Sequence, residues 1–282
     1  MNKNTDLHVH THYSDGDYSP KEVIELASKL KIKAISITDH DTIEGLEEAK
    51  REASKKKIEA INGIEMQGLN SEILGYLFNE KDNALLSLLE THKEQRTKYV
   101  IEKIDGLNDL NIDISLEEVL EKKGPATFPL STHIAKIMIE KGYVKDIQSA
   151  YQKYLKKIKV RLEKPPTTLK KIIHTIKNAG GVCILPHPWY LNNYIKEDLE
   201  IFLIKLKKYG LDGIESRGYI PEELKNYENK DFIKKIKNYA TKYDFILSGG
   251  SDFHGEKTHP HNILGKYNVD YETIINMKKR ID

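Results

Sequence analysis

Apolar residues fall into two rhythms along this chain. Short β-branched runs such as Ala34-Ile35-Ser36-Ile37-Thr38 and Gly181-Val182-Cys183-Ile184-Leu185 have the length and composition of buried strands. Between them lie longer segments with apolar positions every three to four residues. Pro20 to Leu30 predicts a helix, with Ser19 as N-cap, Pro20 in the first turn, and Val23, Leu26, Ala27 and Leu30 on one face. Thr42 to Lys56 repeats the pattern with Ile43, Leu46 and Ala49, and its lysine-rich end suits the helix dipole. The order strand, helix, strand, helix, strand predicts right-handed crossovers and a parallel sheet. A short strand follows at Glu72 to Phe78, and from about Asn83 to Leu155 the pattern is mostly helical. The first rhythm then resumes, with a helix over Thr168 to Asn178, a strand at Val182 and a helix near Lys196 to Tyr209. A strand at Asp212 to Glu215, a helix near Asn229 to Lys242, a strand at Phe245 and a closing helix over Asp270 to Arg280 complete it. These elements imply an α/β barrel over residues 1–80 and 160–282, with a small all-α insertion over 81–159 capping its mouth.

Composition narrows the class. At 282 residues, with 39% hydrophobic and 31% charged residues, the chain suits one large globular domain with an insertion. No apolar run approaches the roughly 20 residues that cross a bilayer, so no membrane partner is expected. The polar start leads straight into a strand, which predicts no signal peptide. A single cysteine, Cys183, excludes an internal disulfide framework and suits a reducing cytoplasm; inside an apolar strand it reads as a small core residue. The formal net charge of +2 argues against a general nucleic-acid coat protein, and no stable binding of double-stranded nucleic acid is expected. Charge is uneven, however. Between Lys153 and Lys171, eight basic residues face a single acid, Glu163. The stretch is either a solvated helix face or a basic rim that attracts a phosphorylated substrate.

The chemistry concentrates at the ends of the predicted strands. Asp6-Leu7-His8-Val9-His10-Thr11-His12 places three imidazoles at alternate positions, where a strand would project them to one side. Such a group is costly to bury unless a cation binds it. Later strand-like runs end in Asp39-His40-Asp41, in Glu65, in Pro186-His187-Pro188 and in Ser251-Asp252-Phe253-His254. Active sites of α/β barrels assemble at that end of the strands. Imidazoles and carboxylates without a thiolate pair suit Zn²⁺, Mn²⁺ or Fe²⁺ in a hydrolytic role. Eight or more such groups exceed one ion's needs and imply two or three divalent ions sharing a carboxylate. Ions so arranged lower the pKa of water and clamp attacking and leaving oxygens, so a metal-bound hydroxide would need no separate protein base.

The segments HVHTHYSDG, ITDHDT, GIE, LPHP and SDFHG, in this order, resemble the polymerase and histidinol phosphatase (PHP) superfamily of metal-dependent phosphoesterases. The likeness is greatest to the stand-alone bacterial branch that hydrolyses nucleoside 3',5'-bisphosphates and short oligoribonucleotides. It spans essentially the whole chain, including Ser131-Thr132-His133-Ile134-Ala135 in the helical stretch. The resemblance implies a distorted (β/α)7 TIM-like barrel. It implies that His8, His10 and Asp252 hold a first ion, that Glu65 bridges to a second with His187, and that Asp15, His40 and His254 hold a third. Asp15 also suits a simple Asp-Gly turn. Of Asp39 and Asp41, one is expected to orient a ligating imidazole and the other to cap the following helix. His12 is expected outside the ligand set.

Two departures stand out. The branch usually has a histidine where this chain has Glu72, which implies a change of ligand type or a weakened second ion. The arginine usual shortly before His133 is absent, leaving Arg96, His133 and Arg217 as candidate phosphate contacts. His92 and His174, on predicted helices, and His259 and His261, on an expected flexible loop, read as non-ligands. Trp189 is expected to close core packing or to stack on a nucleobase. The implied activity is hydrolysis of a small phosphorylated substrate, a nucleotide or short RNA. Histidinol-phosphate hydrolysis and a metal-binding regulatory protein without activity are the alternatives.

Overall fold

Four strands set the first half of the wall: β1 (Lys3–Val9), β2 (Ala34–Ile37), β3 (Glu59–Gly68) and β4 (Ser71–Tyr76). Four more follow, β5 (Val182–Leu185), β6 (Gly213–Arg217), β7 (Ile246–Gly249) and β8 (Val269–Asp270). This computed structural model describes residues 3–160, 167–193, 197–220 and 230–281. The strands form one sheet in the order β7-β6-β5-β4-β3-β2-β1-β8. Pairing is parallel from β1 to β3 and from β5 to β7, as the alternating pattern predicts. β4 breaks the rule. It is antiparallel to both β3 and β5, because the turn at Leu69 and Asn70 (φ 66°) leaves no room for a crossover helix. The two-residue β8 adds antiparallel to β1, so seven strands carry the barrel wall.

The wall curls until the segment after β7 meets β1. The Asp252 amide donates to the His8 carbonyl at 2.9 Å, and the His10 amide to the Phe253 carbonyl at 2.8 Å. Gly250 makes this closure possible: a Cβ there would lie 2.4 Å from the His8 backbone nitrogen. Inside, Leu7, Leu74, Tyr76, Val182 and Ile184 form one apolar cluster, closed by Ile274 and Met277. The Tyr76 hydroxyl donates across it to the Leu7 carbonyl at 2.7 Å. Neighbours on the opposite face, such as Ile35, Ile73, Cys183 and Leu185, pack against the helices.

The helices are α1 (Pro20–Lys29), α2 (Leu46–Lys56), α3 (Asn83–Asn108), α4 (Leu116–Lys123), α5 (Ser131–Glu140), α6 (Ile147–Ala150), α7 (Leu169–Asn178), α8 (Leu199–Tyr209), α9 (Lys230–Tyr243) and α10 (Glu272–Lys278). α1 begins as predicted, with Ser19 Oγ accepting from the Glu22 amide at 3.2 Å while Glu22 accepts from the Ser19 amide at 2.8 Å. α2 starts four residues later than expected. Asp41 adopts φ 50°, and Thr42 Oγ1 pairs with Thr127 Oγ1 at 2.8 Å instead of capping a helix. The predicted helix starts near Lys196 and Asn229 fall at residues outside those described. Between β4 and residue 160 the regular elements are all helical. The first half of α3 packs Leu85, Leu88 and Leu89 on the barrel, while its second half builds a separate cluster of Val100, Ile104, Leu107, Ile134 and Met138.

Candidate metal centre

β1 carries an irregularity that the alternation of its residues does not reveal. Its register with β2 shifts between Asp6 and Val9, so Leu7 joins the inner cluster while Val9 joins the outer one. His8 and His10 then stand side by side, their Nε2 atoms 3.1 Å apart. His12 lies beyond the strand and packs edge-on against Tyr13.

Glu65, at the inner face of β3, is the hub. One oxygen lies 3.3 Å from His8 Nε2, 3.2 Å from His10 Nε2 and 3.2 Å from His40 Nδ1; the other lies 3.0 Å from His187 Nε2. Asp252 Oδ1 completes the inner side, 3.3 Å from His8 Nε2 and 3.4 Å from His10 Nε2. Glu72 also joins, 3.3 Å from His187 Nε2 and 3.9 Å from His40 Nδ1. On the outer side, Asp15 Oδ1 lies 3.4 Å from His254 Nε2 and 4.0 Å from His40 Nε2, and the His10 and His254 rings stack at 4.0 Å. The structure therefore brings together His8, His10, Asp15, His40, Glu65, Glu72, His187, Asp252 and His254. Two of these residues hold backbone in the left-handed region, His187 (φ 29°) and Asp252 (φ 53°). Such strain costs about 1–3 kcal/mol per residue and concentrates at functional sites.

Charge in the group is mutually enforced. Burial would depress the His10 imidazole, but Asp252 and Glu65 outweigh it and raise its pKa to about 10. His8 is likewise raised well above the usual range, against its burial, by Glu65, Glu215 and Asp252. Burial would raise the Glu65 and Asp15 carboxyls, yet the surrounding imidazoles hold both well below the usual carboxylate range. Protons here occupy positions a cation can take.

The donor set fits divalent cations. Three groups of side chains offer atoms within 4.8 Å of one another: His8, His10, Glu65 and Asp252; His10, Asp15, His40 and His254; and His40, Glu65 and Glu72. With bonds of about 2.0–2.2 Å, ligand atoms around one ion lie roughly 3.0–3.5 Å apart, which is the spacing seen between His8, His10, Glu65 and Asp252. His40 Nδ1 approaches Glu65 without hydrogen-bond geometry, and the buried His10 Nδ1 has no hydrogen-bond partner.

Several supporting residues escape a sequence reading. Glu215, at the end of β6, lies 3.2 Å from His8 Nδ1 and accepts from the His187 amide at 2.7 Å. It orients the ring that faces the centre. Its signal was available: an acid ending an apolar strand, as in Glu65. Asp6 accepts from the Ser251 amide at 2.8 Å and so sets the turn that carries Asp252. Asp39 neither orients a ligating imidazole nor caps α2. It accepts from Thr11 (amide and hydroxyl, each 2.6 Å) and from Ser14 Oγ at 2.7 Å, shaping the loop that bears Asp15.

Asp41 does orient an imidazole, but that of His92. The pair lies at 2.6 Å, and Arg96 Nε donates to the other Asp41 oxygen at 2.8 Å. His92 is thus a buried member of this network rather than a solvated helix residue. Asp41 is buried, which alone would raise its carboxyl, but Arg96 and His92 lower it to about 2. His259 is also better placed than a free loop predicts, edge-on against His254 at 4.7 Å.

The three candidate phosphate contacts separate. Arg96 lines a cavity of about 610 Å³ beside the centre, with Asp15, His40, Glu72, Tyr99 and Tyr151. His133 is corrected. Its Nδ1 accepts the Leu130 amide at 2.9 Å, its ring engages the Ser14 backbone, and burial pushes its pKa down to about 4, so it is neutral and already bonded. Arg217 is corrected too. The register of β6 on β7 shifts between Glu215 and Arg217, turning Arg217 away from the centre to donate to the Asn268 carbonyl at 3.2 Å. Trp189, 3% exposed, packs under Gly218 and closes the core. Of the basic stretch, Lys156 lines the cavity, whereas Arg161, Glu163 and Lys164 lie outside the described residues.

The sequence profile of the PHP domain matches residues 6–163. A 5'-3' exoribonuclease of Haemophilus influenzae is 30% identical over 260 residues, covering 90% of this chain and 91% of that one. A 3',5'-nucleoside bisphosphate phosphatase of Chromobacterium violaceum is 27% identical, covering 89% and 87%. The crystal structure of a candidate metal-dependent phosphoesterase from Bifidobacterium adolescentis superposes with a TM-score of 0.87 at 25% identity, covering 99% of this chain and 97% of that one.

Proposed function

Since the chain belongs to the PHP domain family, we propose that it is a metal-dependent phosphoesterase acting on nucleotides or short oligoribonucleotides. The observation that carries this reading is Glu65, whose carboxylate meets His8, His10, His40 and His187 at the strand ends of a barrel. His8, His10, Glu65 and Asp252 would hold one cation, His10, Asp15, His40 and His254 another, and Glu65 with Glu72, His40 and His187 a third. Divalent ions bound there would supply a nucleophile at neutral pH and neutralise charge on the phosphoryl oxygens. Mn²⁺, Zn²⁺ and Fe²⁺ all suit such ligands.

The chain's own residues do the rest. Glu215 and the β1 backbone hold His8 facing the centre. Arg96, fixed by Asp41, offers a cation on the cavity wall for a phosphate that does not react. Tyr99 and Tyr151 add aromatic surface suited to a base or sugar. The volume, about 610 Å³, suits a nucleotide-sized ligand. The helical segment 81–159 forms much of this wall, and we infer that it caps the mouth. A cytoplasmic setting is supported by the lone, buried Cys183, and no helix among the described residues is long and apolar enough to cross a membrane.

The test is a substrate panel of adenosine 3',5'-bisphosphate, 5'-phosphorylated short RNA and histidinol phosphate, with Mn²⁺, Zn²⁺ or Fe²⁺ supplied. The expected outcome is a kcat/KM for the nucleotide or RNA at least about tenfold above that for histidinol phosphate, a difference of about 1.4 kcal/mol in transition-state binding. Preference for histidinol phosphate would overturn the substrate assignment, and no turnover with any ion would overturn the enzyme.

A further inference from the structure

Asp15 sits on a loop, yet it is buried and held by α5, while its neighbour Asp17 ties the same loop to the segment after His254. Thr132 Oγ1, on α5, donates to its Oδ2 at 3.2 Å. Lys136, one helical turn further along the same face, donates to the Asp15 carbonyl and to Asp17 Oδ1, each at 3.3 Å. Asp17 in turn grips the loop after His254. It accepts from the Thr258 amide at 3.0 Å and hydroxyl at 2.7 Å, and its own amide donates to the His254 carbonyl at 2.7 Å. Gly255 permits this contact, since a Cβ there would lie 2.5 Å from Asp17 Cβ. The loops bearing Asp15 and His254 are therefore one unit, and α5 of the helical segment is bolted to it.

Resting on the cation centre described above, we propose that α5 sets the cation affinity of the His10, Asp15, His40 and His254 group through Thr132 and Lys136. These are positioning residues: they do not offer ligand atoms to that group but fix the carboxylate and loop that do. Partners of ligating residues typically change metal affinity by about 10–100-fold. Linkage makes the effect reciprocal, so a cation bound at this group must also tighten the docking of α5. Among the described residues no hydrogen bond or ion pair joins α5 to His8, Glu65 or Asp252, so α5 acts directly on the outer group and reaches the inner one only through the shared His10.

The test counts bound Mn²⁺ on the full chain by mass spectrometry during titration. Thr132→Val should bind one ion fewer than wild type at a Mn²⁺ concentration that saturates wild type, with that ion weakened about tenfold or more, while Thr132→Ser behaves as wild type. Lys136→Met should weaken the same ion by a smaller factor. Equal counts and affinities for Thr132→Val and wild type, or a Thr132→Ser as weak as Thr132→Val, would overturn the proposal. Should Thr132→Val fail to fold, amide exchange decides: Mn²⁺ should slow exchange over residues 131–140 of wild type, and unchanged exchange would overturn it. A wild-type protein that binds no divalent ion would overturn the cation centre itself, a failure distinct from the others.

Discussion

The inner and outer sides of the cation centre are held by different kinds of structure. His8 and Asp252 stand where the backbone is locked into the barrel closure and Glu65 inside β3, tied to the backbone of Asp39 and Asp41, with Glu215 from a neighbouring strand fixing the His8 ring. Asp15 and His254 stand on loops, and their places depend on Asp17 and on two side chains of α5. Side chains on strand ends inherit the rigidity of the sheet, whereas loop-borne ligands need partners of their own. One centre thus combines a fixed half with a half whose geometry is set by another part of the chain.

Removing Glu65, which belongs to two of the three ligand groups and also touches His40 of the outer one, should have the largest effect. Glu65→Ala is expected to lower turnover below roughly a thousandth of wild type, more than the loss of one charge-stabilising donor, and to remove more than one bound ion by metal analysis. Retention of the full metal complement would contradict the hub assignment.

Acidity sharpens the comparison next. The metal-free His10, raised to about 10 from an unfolded value near 6.5, stabilises the fold fully below about pH 6.5 and loses that contribution as pH rises towards 10. A cation must displace this proton, so affinity should rise with pH by up to about tenfold per unit for each proton released. Calorimetry between pH 6.5 and 8.5 should show the metal-free melting temperature falling while cation binding tightens. Binding indifferent to pH would mean that His10 is not displaced.

Glu215→Gln touches only the inner half. It leaves a hydrogen-bond partner for His8 but withdraws the charge, and activity should fall about 10–100-fold with weakened metal binding. Smallest of all, His12→Ala should stay within about twofold of wild type in turnover and metal content, as for a substitution outside the network; a loss comparable with Glu215→Gln would bring His12 back into the centre.

Much of the centre was legible along the chain because strand ends have a local signature: an apolar run followed by an imidazole or acid. His40, Glu65, His187 and Asp252 carry it, and His8 is marked instead by the alternating imidazoles of its strand. The fold's order of strands and helices was readable for the same reason, while the antiparallel β4 was not, because its direction depends on a two-residue turn. What local pattern hides is any partnership across distance. Asp17 reads as an ordinary loop acid, and its role appears only when the loop after His254 lies against it. Asp41 and His92 are 51 residues apart, so His92 reads as a surface histidine. Register shifts hide as well: one extra residue in β6 turns Arg217 out of the site although its parity matches Glu215.

Residues from six strand ends and two loops are proposed to converge on divalent cations, and anomalous diffraction from crystals loaded with Mn²⁺ would locate the ions. Separate peaks are expected beside His8, His10, Glu65 and Asp252 and beside Asp15, His40 and His254. Peaks elsewhere, or none among these side chains in fully loaded protein, would contradict this convergence.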